Sequence, residues 1–210
     1  DGMPVLIHDN TLDRTTNGTG PISGHTYEQL RRLNAGEPGE FLPIPRLEEL
    51  LALLADTNVT LNIEIKEYAK EGNIERMRSS VDQSVALVRR YGMAGRVLFN
   101  SFDAAVLEYA DSAYHGQFPL HGFYPYAQMY NVSRDPTEYL TFATLFDDRR
   151  PEYYSFLLSH GIEPWMSAGV TRQKHLCRCA EMGATLVTTN FPADCLGKLQ
   201  EAGWRSSMQP

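Results

Sequence analysis

The sequence predicts one α/β domain built on a parallel sheet, and two observations carry that prediction. Apolar strand candidates recur about every 20 to 25 residues, and helical segments separate most of them. Alternation of this kind forms βα units, whose strands lie parallel. A chain of 210 residues buries enough surface for one core and too little for two ordinary domains. We therefore expect a single domain over residues 1–210.

Composition and charge exclude several classes of protein. Hydrophobic residues make up 42% of the chain and aromatic residues 10%, which excludes disorder. No uncharged apolar run approaches the roughly 18 residues of a membrane helix, so we expect no transmembrane segment. The net charge is −7, whereas nucleic-acid binding needs a basic face, so we expect no nucleic-acid partner. The negative net charge is still compatible with a small phosphate compound as a ligand, because one lysine or a cation can bind it.

The three cysteines indicate no disulfide framework. Cys177 and Cys179 lie two positions apart on a predicted helix and point in different directions, and Cys195 stands alone. This pattern favours a reducing, cytoplasmic compartment. The chain starts at Asp1 with neither an initiator methionine nor a leader, so we expect that it begins inside a fold and leave the compartment open.

The first half of the chain combines loops, helices and two predicted strands. Residues 3–8 form a strand after a tight Asp-Gly turn. Residues 9–58 form a loop-and-helix insertion, in which Thr26 caps one helix and Pro45 suits the first turn of the next. The remaining elements of this half are a strand at 59–66 and a helix at about 74–91.

The second half repeats strand and helix. Strand candidates lie at 96–101, 118–124, 140–146, 162–167 and 184–189. Helical segments lie at 104–110, 151–160 and 172–182, and after Pro192.

The strand that carries Glu64 and Lys66 holds the first chemical signal. Because side chains alternate along a strand, these two residues share one face, opposite a face of apolar residues. Both faces of a parallel strand are normally buried, which makes charges there costly. The pair is either a solvated edge face or an internal ion pair. Alternatively, it supplies a carboxylate for a metal and an ammonium for an anion at a strand end, where parallel α/β folds place their sites.

His8 and Asp9 end the first predicted strand and open a loop. Histidine is the usual acid–base residue because its pKa lies near neutrality, although a lone histidine is more often structural. Asp9 is expected to bond loop amides, and residues 14–20 to form a structural turn rather than a phosphate cradle. We place the other histidines in loops or helices: His25, His115, His121, His160 and His175.

Trp165 and Asn190 close later strands. Packing is the default role of a tryptophan on an apolar strand, and an asparagine before Pro192 serves as a helix cap. Together with Glu64 and Lys66, these residues place polar groups at the carboxyl ends of at least three strands.

Four stretches together resemble a known family. Residues 1–20 read DGMPVLIHDNTLDRTTNGTG, residues 63–66 read IEIK, residues 100–103 read NSFD and residues 188–192 read TTNFP. This series is similar, in order and spacing, to the glycerophosphodiester phosphodiesterase family. The resemblance implies a TIM (β/α)8 barrel of the phospholipase-C-like phosphodiesterase type. It also implies hydrolysis of glycerophosphodiesters, as small-molecule substrates, to glycerol 3-phosphate and an alcohol.

The same resemblance implies roles for single residues. His8 is catalytic, Glu64 is a metal ligand, and Lys66 and Trp165 contact the phosphate or substrate. A cation and a lysine neutralise charge on phosphoryl oxygens while a histidine moves a proton, so the residue types suit the reaction. Oxygen ligands suit a hard divalent cation, Mg²⁺ or Ca²⁺.

The chain departs from the family pattern in two respects. The first two strands of the family, with a His-Arg and a Glu-x-Asp pair, have no counterpart before the Asp-Gly turn, and Asn190 replaces an Asp. We therefore expect the isolated 210-residue chain to be inactive. We also expect another chain, a rearranged edge or an oligomer to cover the edges of the Glu64 strand and the last strand.

Two alternatives stay open. One is a related phosphodiesterase that acts on lysophospholipids or sphingomyelin-type head groups. The other is a non-catalytic remnant of the fold that binds a phosphate or a partner through the same loops.

Overall fold

A computed structural model describes residues 1–70, 72–167 and 169–204. The chain divides into two compact units, Asp1–Leu98 and Phe99–Pro210. Within the described residues, no helix combines the length and apolar character that crossing a membrane requires. The prediction of one domain over residues 1–210 stays a prediction.

The first unit contains three helices and one strand. They are α1 (Tyr27–Leu30), α2 (Leu47–Leu54), β1 (Leu61–Glu64) and α3 (Ile74–Arg90), with 3-10 turns at Ile22–Gly24 and Ala94–Arg96. The Thr26 cap is confirmed: its hydroxyl accepts from the amide of Gln29, whose side chain accepts from the amide of Thr26. Helix α3 matches its predicted range, and β1 is the central part of the predicted strand.

The N-terminal segment corrects two predictions. Residues 3–8 form no strand but a single antiparallel bridge between Val5 and Arg46. The flanking bonds run from Leu6 N to the Pro45 carbonyl and from Leu47 N to the Pro4 carbonyl, at 2.9 and 3.0 Å. Pro4 and Pro45 flank this bridge and have no N–H to donate. The pairing between the two segments therefore does not extend into a longer strand ladder. Pro45 itself precedes α2, which begins after an Arg46 cap, instead of lying in its first turn.

A small apolar cluster fixes the N-terminal loop of the first unit. Its buried members are Leu12, Leu30 and Ile44, and four partly buried residues pack against them: Val5, Ile7, Ile22 and Leu33. Elsewhere in this unit α2 packs on α3. The loop that follows His8 therefore has its own hydrophobic anchor.

The second unit follows the predicted alternation of strand and helix. It contains α4 (Ala104–Tyr114), β3 (Leu120–Tyr124), β4 (Phe142–Leu145), α5 (Pro151–Ser159), β5 (Glu163–Met166), α6 (Gln173–Glu181), β6 (Leu186–Val187) and α7 (Pro192–Glu201). Strand β2 (Val97–Asn100) spans the division between the units. Two 3-10 turns, Tyr126–Gln128 and Pro136–Glu138, lie in the connection from β3 to β4.

The sheet is parallel, as predicted. Its six strands follow chain order from β1 to β6. The register pairs His121 with Phe142 and Tyr124 with Leu145 between β3 and β4, and Phe142 with Glu163 between β4 and β5. All three cysteines are free, which agrees with the absence of a disulfide framework. An α/β fold with a parallel, half-barrel sheet is thereby confirmed.

Candidate active site

The end of β1 carries an acidic and a basic side chain that contact each other. Ile63 and Ile65 are buried, so alternation turns Glu64 and Lys66 away from the core. The Lys66 ammonium lies 3.4 Å from the Glu64 carboxylate, and their side chains are 25% and 29% exposed. This is an ion pair that solvent and a small ligand can still reach.

Lys66 also joins this strand end to the N-terminal segment. Its Nζ donates to the backbone carbonyl oxygen of His8 at 2.8 Å, across 58 positions of sequence. One ammonium group therefore lies beside a carboxylate and holds the backbone of a histidine. Three of the predicted site residues, His8, Glu64 and Lys66, come together in this way.

The His8 imidazole faces solvent and contacts the carboxylate of Asp9. Its Nδ1 lies 2.6 Å from Asp9 Oδ1. Arg14 donates twice to the same carboxylate, from Nε to Oδ2 at 2.6 Å and from Nη2 to Oδ1 at 2.7 Å. The Arg14 bonds, followed by that of His8, hold the pKa of Asp9 well below its usual range. The structure thus gives Asp9 side-chain partners where the sequence indicated loop amides.

Residues 14–20 form a turn that is hydrogen-bonded within the loop, which confirms the structural role expected of them. The amide of Leu12 bonds the carbonyl of Gly20 at 2.9 Å, and the amide of Gly20 bonds Asp13 Oδ2 at 3.1 Å. The amide of Gly18 bonds Thr16 Oγ1 at 2.9 Å. The two glycine amides are therefore engaged in holding the turn closed.

A cavity of about 500 Å³ lies within the first unit and is lined by part of this site, without the side chains of His8 and Arg14. Asp9, Glu64 and Lys66 line it, together with Glu67 and Arg76, which pair with each other at 2.9 Å. No three His, Cys, Asp or Glu residues in the described part of the chain are grouped to hold a metal. A hard cation takes six or more oxygen ligands. Glu64 alone therefore does not complete a cation site.

Trp165 lies in the second unit, on β5. It is 5% exposed, its indole N–H donates to Glu163 Oε1 at 3.2 Å, and its ring stacks on Phe142 with centroids 4.5 Å apart. The packing role is confirmed. Its contact with substrate stays a prediction.

His121 corrects the statement that the other histidines lie in loops or helices. It lies on β3, is 3% exposed, and its Nε2 is 2.8 Å from Thr144 Oγ1. Burial lowers the pKa of His121 to about 4. His121 is therefore neutral at pH 7 and unsuited to proton transfer there.

Of two other motif positions, Asp103 caps a helix and Asn190 does not. Asp103 caps α4 by accepting from the amide of Ala105 at 3.0 Å, and it binds the side-chain amide of Asn131 with both oxygens. Asn190 does not cap α7; the cap residue is Phe191, whose amide bonds Thr189 Oγ1 at 3.0 Å. The expected cap is one position too early because Pro192 takes the first helical position, which makes Phe191 the cap residue, and no side chain caps this helix.

Arg14 is the site residue that sequence reasoning missed. It was assigned to a structural turn, and the structure pairs it with Asp9. Its only signal in the sequence is a basic residue five positions after an acidic one, with a polar turn behind it.

Comparison with known proteins identifies the family of this chain. Residues 1–146 match the model of the glycerophosphoryl diester phosphodiesterase family. The chain is 43% identical over 77 residues to human glycerophosphodiester phosphodiesterase 1, a segment that covers 33% of this chain and 23% of the human protein. Across the curated relatives compared, the aligned segments span from 23% to 51% of the relative's length.

Solved structures share the fold over almost the whole chain. A phosphodiesterase of this type from Silicibacter pomeroyi superposes with a TM-score of 0.79 at 21% identity, covering 98% of this chain and 81% of that one. A phosphodiesterase from Oleispira antarctica, solved with the product sn-glycerol-3-phosphate, gives 0.73 at 20% identity, with 95% and 80% covered. The family model matches more than half of the chain, and the chain therefore belongs to the glycerophosphoryl diester phosphodiesterase family.

Proposed function

We propose that this chain belongs to an enzyme that hydrolyses glycerophosphodiesters to glycerol 3-phosphate and an alcohol. The observation that carries the proposal is the contact set of Lys66, whose ammonium binds the His8 carbonyl and lies beside Glu64. An acid–base residue, a cation and a carboxylate thus share one accessible strand end. Membership of the family and the product bound to the Oleispira antarctica relative support this choice.

In the proposed reaction, His8 moves the proton. Its ring is 77% exposed, so a phosphodiester can approach it without displacing protein. The imidazole takes a proton from the attacking hydroxyl or gives one to the leaving alkoxide. The negative charge that grows on the phosphoryl oxygens needs a positive partner, and Lys66 supplies one from a position fixed by its bond to the His8 backbone.

Glu64 is proposed as one ligand of a divalent cation. The family uses divalent cations, and Mg²⁺ or Ca²⁺ is the choice we propose because the available donor is a carboxylate. Such a cation, when bound, neutralises phosphoryl charge. The described residues do not complete its ligand set, so the steps above rest on His8 and Lys66 only. Trp165 is proposed as a substrate contact by resemblance.

The barrel form of the fold is also a proposal. Six parallel strands in chain order are the pattern of a (β/α)8 barrel with two strands to add. In this sheet order β1 and β6 are the end strands. Exposed strand edges pair readily with other chains. We therefore propose that another chain, a rearranged edge or an oligomer covers them in solution, and gel filtration tests this.

The function is tested by supplying glycerophosphodiesters of several alcohols, with and without a chelator, and measuring glycerol 3-phosphate. The 210-residue chain is compared with the longest form of the protein that carries it. We expect chelator-sensitive release from the longer form and little from the 210 residues. Release only from lysophospholipids or sphingomyelin would favour the related phosphodiesterase. Binding of glycerol 3-phosphate without turnover in either form would overturn the proposal in favour of a binding remnant.

A further inference from the structure

We propose that Asp9 is a positioning residue that holds the His8 proton on Nδ1, so that Nε2 presents its lone pair to the substrate. Arg14 completes the arrangement by fixing the Asp9 carboxylate. This inference rests on the proposed acid–base role of His8. It adds the tautomer and the orientation of the ring, which neither that role nor family membership specifies.

The contacts around Nδ1 determine where the proton lies. Nδ1 is 2.6 Å from Asp9 Oδ1 and 3.3 Å from Arg14 Nη2. A carboxylate only accepts hydrogen bonds and a guanidinium only donates them, so the two neighbours demand opposite states of Nδ1. The carboxylate contact is 0.7 Å shorter, and an unprotonated Nδ1 at that distance would oppose two lone pairs. Nδ1 therefore carries the proton, and Arg14 donates its hydrogen bonds to the Asp9 carboxylate.

Arg14 makes Asp9 a rigid partner. Its two parallel bonds, 2.6 and 2.7 Å long, bind both carboxylate oxygens in the fork geometry that fixes the plane of the group. The Asp9 side chain is 24% exposed, compared with 77% for His8 and 63% for Arg14. The least exposed group of the three is thus Asp9, which lies between the other two. The low pKa of Asp9 keeps it charged at any pH at which the histidine works.

The backbone of His8 is held from the other side. Lys66 Nζ binds its carbonyl oxygen, and Glu64 lies next to Lys66. The charged groups around His8 are therefore Asp9 and Arg14 on its own loop and Lys66 and Glu64 at the end of β1. A ring fixed at Nδ1 and at its backbone has one nitrogen left for chemistry. When Nε2 accepts a proton, Asp9 stabilises the imidazolium that forms.

The test reads the tautomer directly, by ¹⁵N chemical shifts and couplings of histidine-labelled full chain, with the His8 signals assigned from His8→Gln. We expect neutral His8 to hold its proton on Nδ1. In Asp9→Ala we expect the Nε2–H form, which free imidazole side chains favour, to become the larger population. In Arg14→Gln the Nδ1–H fraction falls by a smaller amount. Asp194→Ala, which breaks a 2.6 Å carboxylate contact to Lys198, is the matched control and leaves His8 unchanged.

A second measurement ties the tautomer to the reaction. In the longest form of the protein, Asp9→Asn keeps the shape of the side chain and removes its charge. We expect kcat to fall several-fold with KM little changed, because the imidazolium that forms in the reaction loses the carboxylate that stabilises it. A His8 that stays Nε2–H in the wild type, or is unaffected by Asp9→Ala, would overturn the inference. So would an unchanged kcat. A wild type with the Nδ1–H tautomer but no hydrolysis would refute the proposed function and leave the positioning geometry established.

Discussion

The two units of this protein place polar residues on or beside their strands in opposite environments. In the first unit the polar groups at the end of β1 are charged, paired and partly exposed, with Lys66 beside Glu64 and against the His8 carbonyl. In the second unit His121 is buried against Thr144 and Trp165, and burial lowers its pKa to about 4. A histidine on a strand of a parallel sheet is thus no sign of chemistry by itself. Its surroundings decide whether it can exchange a proton near pH 7.

The largest effect is expected from Glu64→Gln in the first unit. If Glu64 is the proposed metal ligand, loss of its carboxylate should lower cation-dependent release of glycerol 3-phosphate by orders of magnitude. The measurement is the rate as a function of cation concentration in the longest form of the protein. Glu48→Gln is a control of the same chemistry, since Glu48 binds Arg90 at 3.0 Å on the same unit. Wild-type cation dependence in Glu64→Gln would refute the metal assignment.

Lys66→Met should have the next largest effect. In the proposed reaction Lys66 faces the growing phosphoryl charge, so its removal should cost about 2–4 kcal/mol of transition-state stabilisation, or about 30- to 1,000-fold in rate. Lys198→Met is closely matched, because Lys198 Nζ also binds a backbone carbonyl, that of Thr171 at 3.0 Å, and the carboxylate of Asp194. Equal losses in kcat/KM for the two variants would show that Lys66 acts through stability alone.

His121 should govern acid stability in the second unit. The pKa of His121 falls from an unfolded value of 6.5 to about 4 in the folded chain, so the unfolded state binds more protons between those pH values. Stability is therefore lost as pH falls from 6.5 to 4, by about 3 kcal/mol in full. Urea unfolding over this range should show that slope, and His121→Gln should remove most of it. If His121→Gln keeps the full slope, a group other than His121 causes the pH dependence of the free energy of unfolding.

Trp165→Phe should have the smallest effect. It keeps the stacking on Phe142 and removes one hydrogen bond, to Glu163, so the free energy of unfolding should fall by about 1 kcal/mol. If Trp165 also touches substrate, KM should rise several-fold with kcat unchanged. An unchanged KM beside the lower stability would restrict Trp165 to packing.

Local patterns predicted most of the fold, because helical periodicity and caps are local. The spacing of apolar residues indicates α2 to α7, and the structure confirms each of them. The strand at 3–8 fails because its ladder depends on donors that Pro4 and Pro45 lack, in segments some forty residues apart. Strand β1 is shorter than predicted, which leaves Lys66 beyond the regular strand and able to bind the His8 carbonyl.

The site was predictable as a set of residue types and less so as a set of contacts. His8, Glu64 and Lys66 came from strand-end polarity and resemblance. They come together through the hydrogen bond from Lys66 to the His8 carbonyl, which spans 58 positions of sequence. No local sequence pattern predicts that bond. The pairing of Arg14 with Asp9 was missed because an arginine in a polar loop is as compatible with a structural turn as with an ion pair. His121 was placed in a loop or helix although it lies within the strand predicted at 118–124, which the structure confirms as β3.

The most direct test of the central claim, that the charged strand end of the first unit performs the proton transfer, is the pH–rate profile of His8→Ala. We predict a loss of about 10²- to 10⁴-fold in glycerol 3-phosphate release and the disappearance of a limb near neutral pH. The pH–rate profile of His121→Gln should keep that limb, since burial holds the pKa of His121 at about 4. A His8→Ala variant with the wild-type rate and profile would contradict the account.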